Sequence, residues 1–135
     1  MRIVVTNCNT TQEMTEEIVR GARAAAGPGT TVLGLTPAWG PESAEGWLDS
    51  YLSAAAVIDL LRTYEGPSYD AVVMAGFGEH GREGVRELVD VPVVDITEAA
   101  GHVACMLGHK YSVVTTLDRT VPLIEDRLKL AGLDA

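Results

Sequence analysis

The chain has 135 residues, 47% hydrophobic and 21% charged, an ordinary globular balance that leaves no case for disorder and suits one domain or a little more. Its formal net charge of −9 and pI near 4.6 argue against a nucleic-acid partner, whose phosphates demand a basic face, and against an anionic membrane surface. No stretch is long and apolar enough to cross a bilayer, Met1-Arg2-Ile3-Val4-Val5 does not read as a signal peptide, and Cys8 and Cys105 give neither a disulfide framework nor a zinc spacing, so a cytoplasmic protein with free thiols is expected.

Strand and helix signals alternate along the chain. Ile3-Val4-Val5 is a β-branched run that ends at the polar cluster Thr6-Asn7-Cys8-Asn9-Thr10. Thr10 and Glu13 have the spacing of a capping box, and Met14, Ile18, Ala22 and Ala25 follow at helical intervals, predicting a helix with that stripe buried. Gly27-Pro28-Gly29 stops it, and Thr31-Val32-Leu33-Gly34-Leu35 reads as a second strand. A loop rich in Pro and Gly, residues 36–46, leads to a helix over Trp47 to Tyr64 with Leu48, Leu52, Ala55 and Ile58 expected inside. A third strand runs from Tyr69 to Ala75 and breaks into Gly76-Phe77-Gly78-Glu79-His80-Gly81. Val85, Leu88 and Val89 then mark a short helix, and Pro92-Val93-Val94-Asp95-Ile96 a fourth strand. Ala99, Val103, Met106 and Leu107 stripe a helix ending at Gly108. Tyr111-Ser112-Val113-Val114-Thr115 reads as a fifth strand, and Val121, Ile124, Leu128 and Ala131 stripe a last helix. Five strand–helix alternations imply parallel strands joined by crossovers, an α/β doubly wound sheet.

In such sheets ligands bind beyond the carboxyl ends of the strands. Three polar clusters are placed there: Asn7-Cys8-Asn9-Thr10, Gly76-Phe77-Gly78-Glu79-His80 and Thr115-Thr116. Glycines let backbone N–H groups approach an oxygen closely, and two of the clusters precede helices, whose free N–H groups favour an anion or enolate. Together they point to a pocket for a small carbonyl or carboxylate compound. Glu98, His102, Cys105 and His109 fall on one helical stripe, but a solvated face with a Glu98–His102 pair is the expectation, and no metal site is assigned. His80 is titratable beside the pocket, though a loop histidine is expected to be exposed.

The same pieces resemble hydantoin and allantoin racemases of the Asp/Glu/hydantoin racemase superfamily. Asn7-Cys8-Asn9-Thr10 is similar to that family's Asn-Pro-Asn-Ser/Thr opening, Gly40-Pro41-Glu42-Ser43-Ala44-Glu45-Gly46 to its Gly-Pro…Glu-Gly loop, and Phe77-Gly78-Glu79-His80-Gly81 to its Phe-Gly-Asp-Pro-Gly. Glu98-Ala99-Ala100 and residues 111–116 also have counterparts. The resemblance implies cofactor-free racemisation α to the carbonyl of a small cyclic ureide or amino-acid derivative. It proceeds through a planar enolate, with one thiolate removing a proton from one face and a second thiol returning it to the other. It also implies enolate-binding backbone donors near Asn9, Phe77, Thr115 and Thr116, with Gly40 and Gly78 beside them and Trp39 as a pocket wall.

The departures matter as much. The family's first catalytic cysteine precedes Phe-Gly-Asp-Pro-Gly, and here that position is Gly76, which has nothing to ionise. The second lies in a segment beyond the present sequence. Cys8 stands where the family has proline; a small buried thiol packing as a hydrophobe is expected over a catalytic substitute. The resemblance further implies a first domain over residues 1–90 and the beginning of a second, pseudo-symmetric domain over 91–135, apparently truncated, with self-association expected from the apolar surface this leaves. Three functions compete: a racemase impaired at its thiols, a one-thiol decarboxylase or isomerase of small diacids, and a ligand-binding homologue without catalysis.

Overall fold

The computed structural model describes residues 1–133. Asp134 and Ala135, where the chain stops after its last predicted helix, lie outside the described residues. Four strands form the sheet: β1 (Arg2–Thr6), β2 (Thr31–Leu35), β3 (Ala71–Met74) and β4 (Val93–Asp95). Five α-helices accompany them: α1 (Gln12–Ala25), α2 (Trp47–Arg62), α3 (Arg82–Leu88), α4 (Ile96–Leu107) and α5 (Val121–Leu130).

The sheet is wholly parallel in the order β2-β1-β3-β4. Side chains alternate across a strand, so the consecutive residues Val4 and Val5 point to opposite faces. Both are buried, at 0% and 2% exposure, so the sheet is covered on both sides. Val4 joins Val72, Met74 and Val93 beneath Val57 and Leu61 of α2 and Val85 of α3. Val5 and Val32 meet Val19 of α1 on the other face. The order reverses between β1 and β3, and the loops leaving those two strands diverge to opposite faces of the sheet, the geometry of a ligand crevice. β4 belongs to the same sheet although it lies beyond residue 90.

The doubly wound α/β class holds, but several local expectations do not. The fifth strand is absent among the described residues: Tyr111–Thr115 pairs with no strand, and Val114 is 95% exposed. A β-branched run supplies propensity, whereas a strand needs a neighbouring ladder. The buried stripe of α2 is Ser50, Ser53, Ala56, Val57 and Leu61, while Leu48, Leu52 and Ala55 face outward. This helix is apolar on both faces, so leucine spacing could not choose the inner one. Small residues face inward because neighbouring backbone comes close; the Ser50 hydroxyl donates to the Glu79 carbonyl. In α1 the buried residues are Thr15 and Val19, with Met14 and Ala25 exposed. The expected capping box is not made, since Thr10 bonds the Pro41 carbonyl and the helix starts at Gln12 without a side-chain cap. In α4 the buried residues are Thr97 and Gly101, and Val103, Met106 and Leu107 are exposed. Gly101 admits α5, whose following Leu133 would lie 2.6 Å from a Cβ placed there.

Candidate functional site

Three loops converge at the carboxyl edge of the sheet. The first, after β1, is braced internally. Asn7, fully buried, donates from Nδ2 to Asn9 Oδ1 (2.8 Å), the Thr11 carbonyl (3.0 Å) and Thr15 Oγ1 (3.1 Å). Asn9 Oδ1 also accepts from the Thr11 N–H at 3.0 Å. The second loop, residues 36–46, is tied to the first: the Thr10 N–H donates to the Pro41 carbonyl (3.1 Å), and Thr11 Oγ1 to that of Glu42 (2.9 Å).

The third loop follows β3. Gly78 has φ of +132°, a left-handed conformation that favours glycine, and its N–H donates to Thr97 Oγ1 at 2.8 Å. Thr97 is held in turn by Asp95, whose Oδ1 accepts from the N–H groups of Thr97 (2.7 Å) and Glu98 (3.2 Å) and so caps α4. Glu79 accepts from the Gly81 N–H at 2.8 Å and pairs with Arg127 at 2.9 Å. Arg127, on α5 and only 1% exposed, also meets Glu83 at 3.2 Å and lies 3.9 Å from Asp95. Arg82, likewise buried, pairs with Glu83 (2.5 Å) and Glu98 (2.6 Å). Arg127 thus holds the loop and α3 against α5, and Arg82 ties α3 to α4. Burial would raise the Glu83 carboxyl, but the hydrogen bond from Arg82, its own backbone and the charge of Arg127 outweigh that and hold it below the usual range.

A cavity of about 140 Å³ opens beside the second and third of these loops, lined by Phe77 and His80, by Glu45 and Gly46 at the end of the 36–46 loop, and by Thr115 and Thr116. It therefore brings together Phe77, Thr115 and Thr116 of the residues selected from the sequence. Thr115 and Thr116 arrive on an irregular segment, not a strand end, with Thr115 Oγ1 2.8 Å from Thr120 Oγ1. Asn9, Gly40 and Gly78 lie outside that lining, and the Asn9 side chain and Gly78 N–H are engaged in the bonds just described. Trp39, 45% exposed, lies outside the lining too; its Nε1–H donates to Asp59 at 3.1 Å. Gly76 packs against Cys8 and His80.

His80 is buried rather than exposed, lines the cavity, and has its Nδ1 buried without a partner. Desolvation lowers its pKa below the ordinary histidine value; the Phe77 backbone and Asp95 pull upward, while Arg127 adds to the lowering. Burial pushes the Cys8 thiol up to about 11, only partly offset by a backbone hydrogen bond, so it is protonated near neutrality. Glu98 pairs with Arg82 and Arg86 (3.2 Å) rather than with His102. No group of three or more metal-ligating side chains occurs among the described residues, and no helix among them is long and apolar enough to cross a membrane. Sequence reasoning missed Arg82 and Arg127 altogether. Arg127 interrupts the apolar stripe of α5 one position before Leu128, and a charge placed beside a core stripe was the only signal available.

Comparisons with known proteins agree with this architecture. The sequence profile described as Asp/Glu/Hydantoin racemase matches residues 3–135. A hydantoin racemase from Pseudomonas sp. (strain NS671) is 39% identical over 133 residues, which cover 98% of this chain and 53% of that protein. A hydantoin racemase from Rhizobium meliloti is 36% identical over 134 residues, covering 99% of this chain and 56% of that protein. The crystal structure of allantoin racemase from Pseudomonas fluorescens superposes with a TM-score of 0.95 at 65% identity, over 98% of this chain and 56% of that one. Allantoin racemase from Klebsiella pneumoniae gives 0.94 at 41% identity, over 98% and 54%. The chain thus spans about half the length of the curated relatives it matches. With the profile matching nearly end to end and the same parallel sheet in its structural neighbours, this chain belongs to the Asp/Glu/hydantoin racemase family.

Proposed function

We propose that the protein binds a small cyclic ureide, a 5-substituted hydantoin or allantoin, and belongs to a system that racemises such compounds α to a carbonyl without a cofactor. The observation that carries this is the cavity beside the loop after β3, walled by Phe77, His80, Thr115 and Thr116 in a chain of the racemase family. Its volume, about 140 Å³, suits a small ring compound, and the threonine hydroxyls supply polar contacts for carbonyl and ring N–H groups.

Inversion by this chain alone is impaired in our reading. A stereocentre inverted through a flat enolate needs an acceptor on one face and a donor on the other. Gly76 offers neither, and the thiol of Cys8 is held in its protonated form. The division into a first domain over residues 1–90 and the start of a second belongs to the same proposal, as does self-association, with the second donor supplied from outside residues 1–135. Asn9, Gly40 and Gly78 lie outside the cavity lining, which leaves Phe77, Thr115 and Thr116 as the proposed ligand contacts. A ligand-binding homologue without turnover is the second reading, favoured by the missing side chain at Gly76.

Incubation with an enantiopure 5-substituted hydantoin, with binding followed by NMR and inversion by optical rotation, tests the proposal. Saturable binding at the cavity with slow or no loss of rotation is the expected result. Absence of binding refutes it.

A further inference from the structure

Three residues meet at one point beside the cavity. A Cβ placed on Gly76 would lie 2.6 Å from Cys8 Cβ and 2.7 Å from Cys8 Sγ, and closer still to His80 Cδ2. The room a side chain at position 76 would need is therefore already taken by a thiol and an imidazole, one from each of the two loops that flank the switch point. The same imidazole lines the cavity and keeps a buried, unpartnered nitrogen. The cavity's other ionisable side chain, Glu45, is paired with Arg119 at 2.5 Å.

We propose that His80 is the proton acceptor of this site, its imidazole standing, with Cys8 packed against it, in the space left by Gly76. The proposal rests on the function proposed above and adds the group that removes the proton. A base must hold a free electron pair at working pH. Burial, with the nearby charge of Arg127 on α5, favours the neutral ring, against the opposing pull of the Phe77 backbone and of Asp95 at the end of β4. The thiol of Cys8, protonated to about pH 11, cannot compete for that role near neutrality. Its place is beside the ring, as a positioning residue. In the step itself the C–H bond α to the carbonyl breaks and an N–H bond forms on His80, giving an imidazolium. The C–H electron pair moves onto the carbonyl oxygen as an enolate. The imidazolium exchanges its proton with solvent and returns one to the same face, so the stereocentre is kept while the hydrogen is replaced.

The test is α-proton exchange of enantiopure 5-methylhydantoin in D₂O, corrected for the buffer blank, with binding followed separately by NMR. Exchange is expected to outrun loss of rotation, and its rate to rise with pH through a transition below 6.5 and then level off. His80→Gln is expected to lower exchange of the bound hydantoin by about a hundredfold or more. The ring C–H resonances of His80 in the unaltered chain give a second measurement that does not depend on the variant folding. They are expected to titrate below 6.5 and to shift on saturation with the hydantoin. Ring resonances unmoved by the hydantoin overturn the assignment. So does exchange that climbs only toward pH 11 and disappears in Cys8→Ala, which makes the thiol the base. Binding without exchange overturns the assignment but leaves the ureide reading standing, whereas no binding removes both.

Discussion

The loop after β3 and the segment 111–116 both follow the same sequence cue, a β-branched run ending in small or polar residues, yet their structures differ. β3 lies between β1 and β4 with backbone ladders on both sides, and its loop is clamped by Arg127, Thr97 and Ser50. Tyr111–Thr115 has no ladder among the described residues, and it is held by the Tyr111 hydroxyl, 2.8 Å from the Leu133 carbonyl, and by the threonine pair at 115 and 120. The comparison shows that strand propensity becomes a strand only where a neighbour satisfies the backbone, and that the site is built from one rigid wall and one lightly held wall.

The largest effect should come from the clamp. Arg127→Met leaves the buried Asp95 and the partly buried Glu79 without their cation, and is expected to cost about 3–5 kcal/mol in chemical denaturation. A loss under 1 kcal/mol would mean that the rigid wall does not depend on α5. Next comes the thiol. Because folding raises the Cys8 pKa from 9.0 to about 11, the native state keeps a proton that the unfolded chain loses above pH 9. Stability should therefore fall between pH 9 and 11, by no more than about 2–3 kcal/mol, and Cys8→Ala should flatten that fall.

Gly76→Ala forces a methyl into the space filled by Cys8 and His80 and is expected to destabilise by about 1–3 kcal/mol. Pairing it with Cys8→Ala should recover part of the loss, because the bulk behind position 76 is then smaller. An additive double variant would separate the two residues. His80 gives an acid-side effect of opposite sign to Cys8. Its folded pKa lies below 6.5, so the unfolded state takes up protons first and stability should drop as pH falls through 6.5. His80→Gln should shrink that part of the acid response, read as Tm against pH. On the lightly held wall, Val114→Thr alters a 95% exposed side chain and should stay within about 0.5 kcal/mol of the parent. A larger change would show that this segment is covered in solution.

Much of the frame was legible in residue order. Ile3-Val4-Val5, Val32, Ala71 to Met74 and Val93 each supplied a strand, and the alternation with helices implied parallel crossovers. Inner helix faces were less legible. α2 carries leucines outside and serines inside because its close approach to the loop after β3 rewards small side chains and a hydroxyl donor. Among the cavity residues, Phe77, Thr115 and Thr116 could be read from the ends of apolar runs. His80 was placed beside the pocket but expected to be exposed, because its burial and the charges of Asp95 and Arg127 that act on it are set by residues later in the chain.

What the sequence determined by itself was local and periodic: which segments alternate, where glycine permits a turn such as that at Gly78, and that position 76 carries nothing to ionise. The tertiary structure alone decided which groups share a dielectric. It withheld a ladder from residues 111–115, buried two arginines among carboxylates, and brought Cys8 and His80 over the same glycine. The physical reason is that hydrogen-bond partners, burial and the field of neighbouring charges are set by residues distant in the chain, and those three determine whether a side chain is a strand residue, a brace or a base.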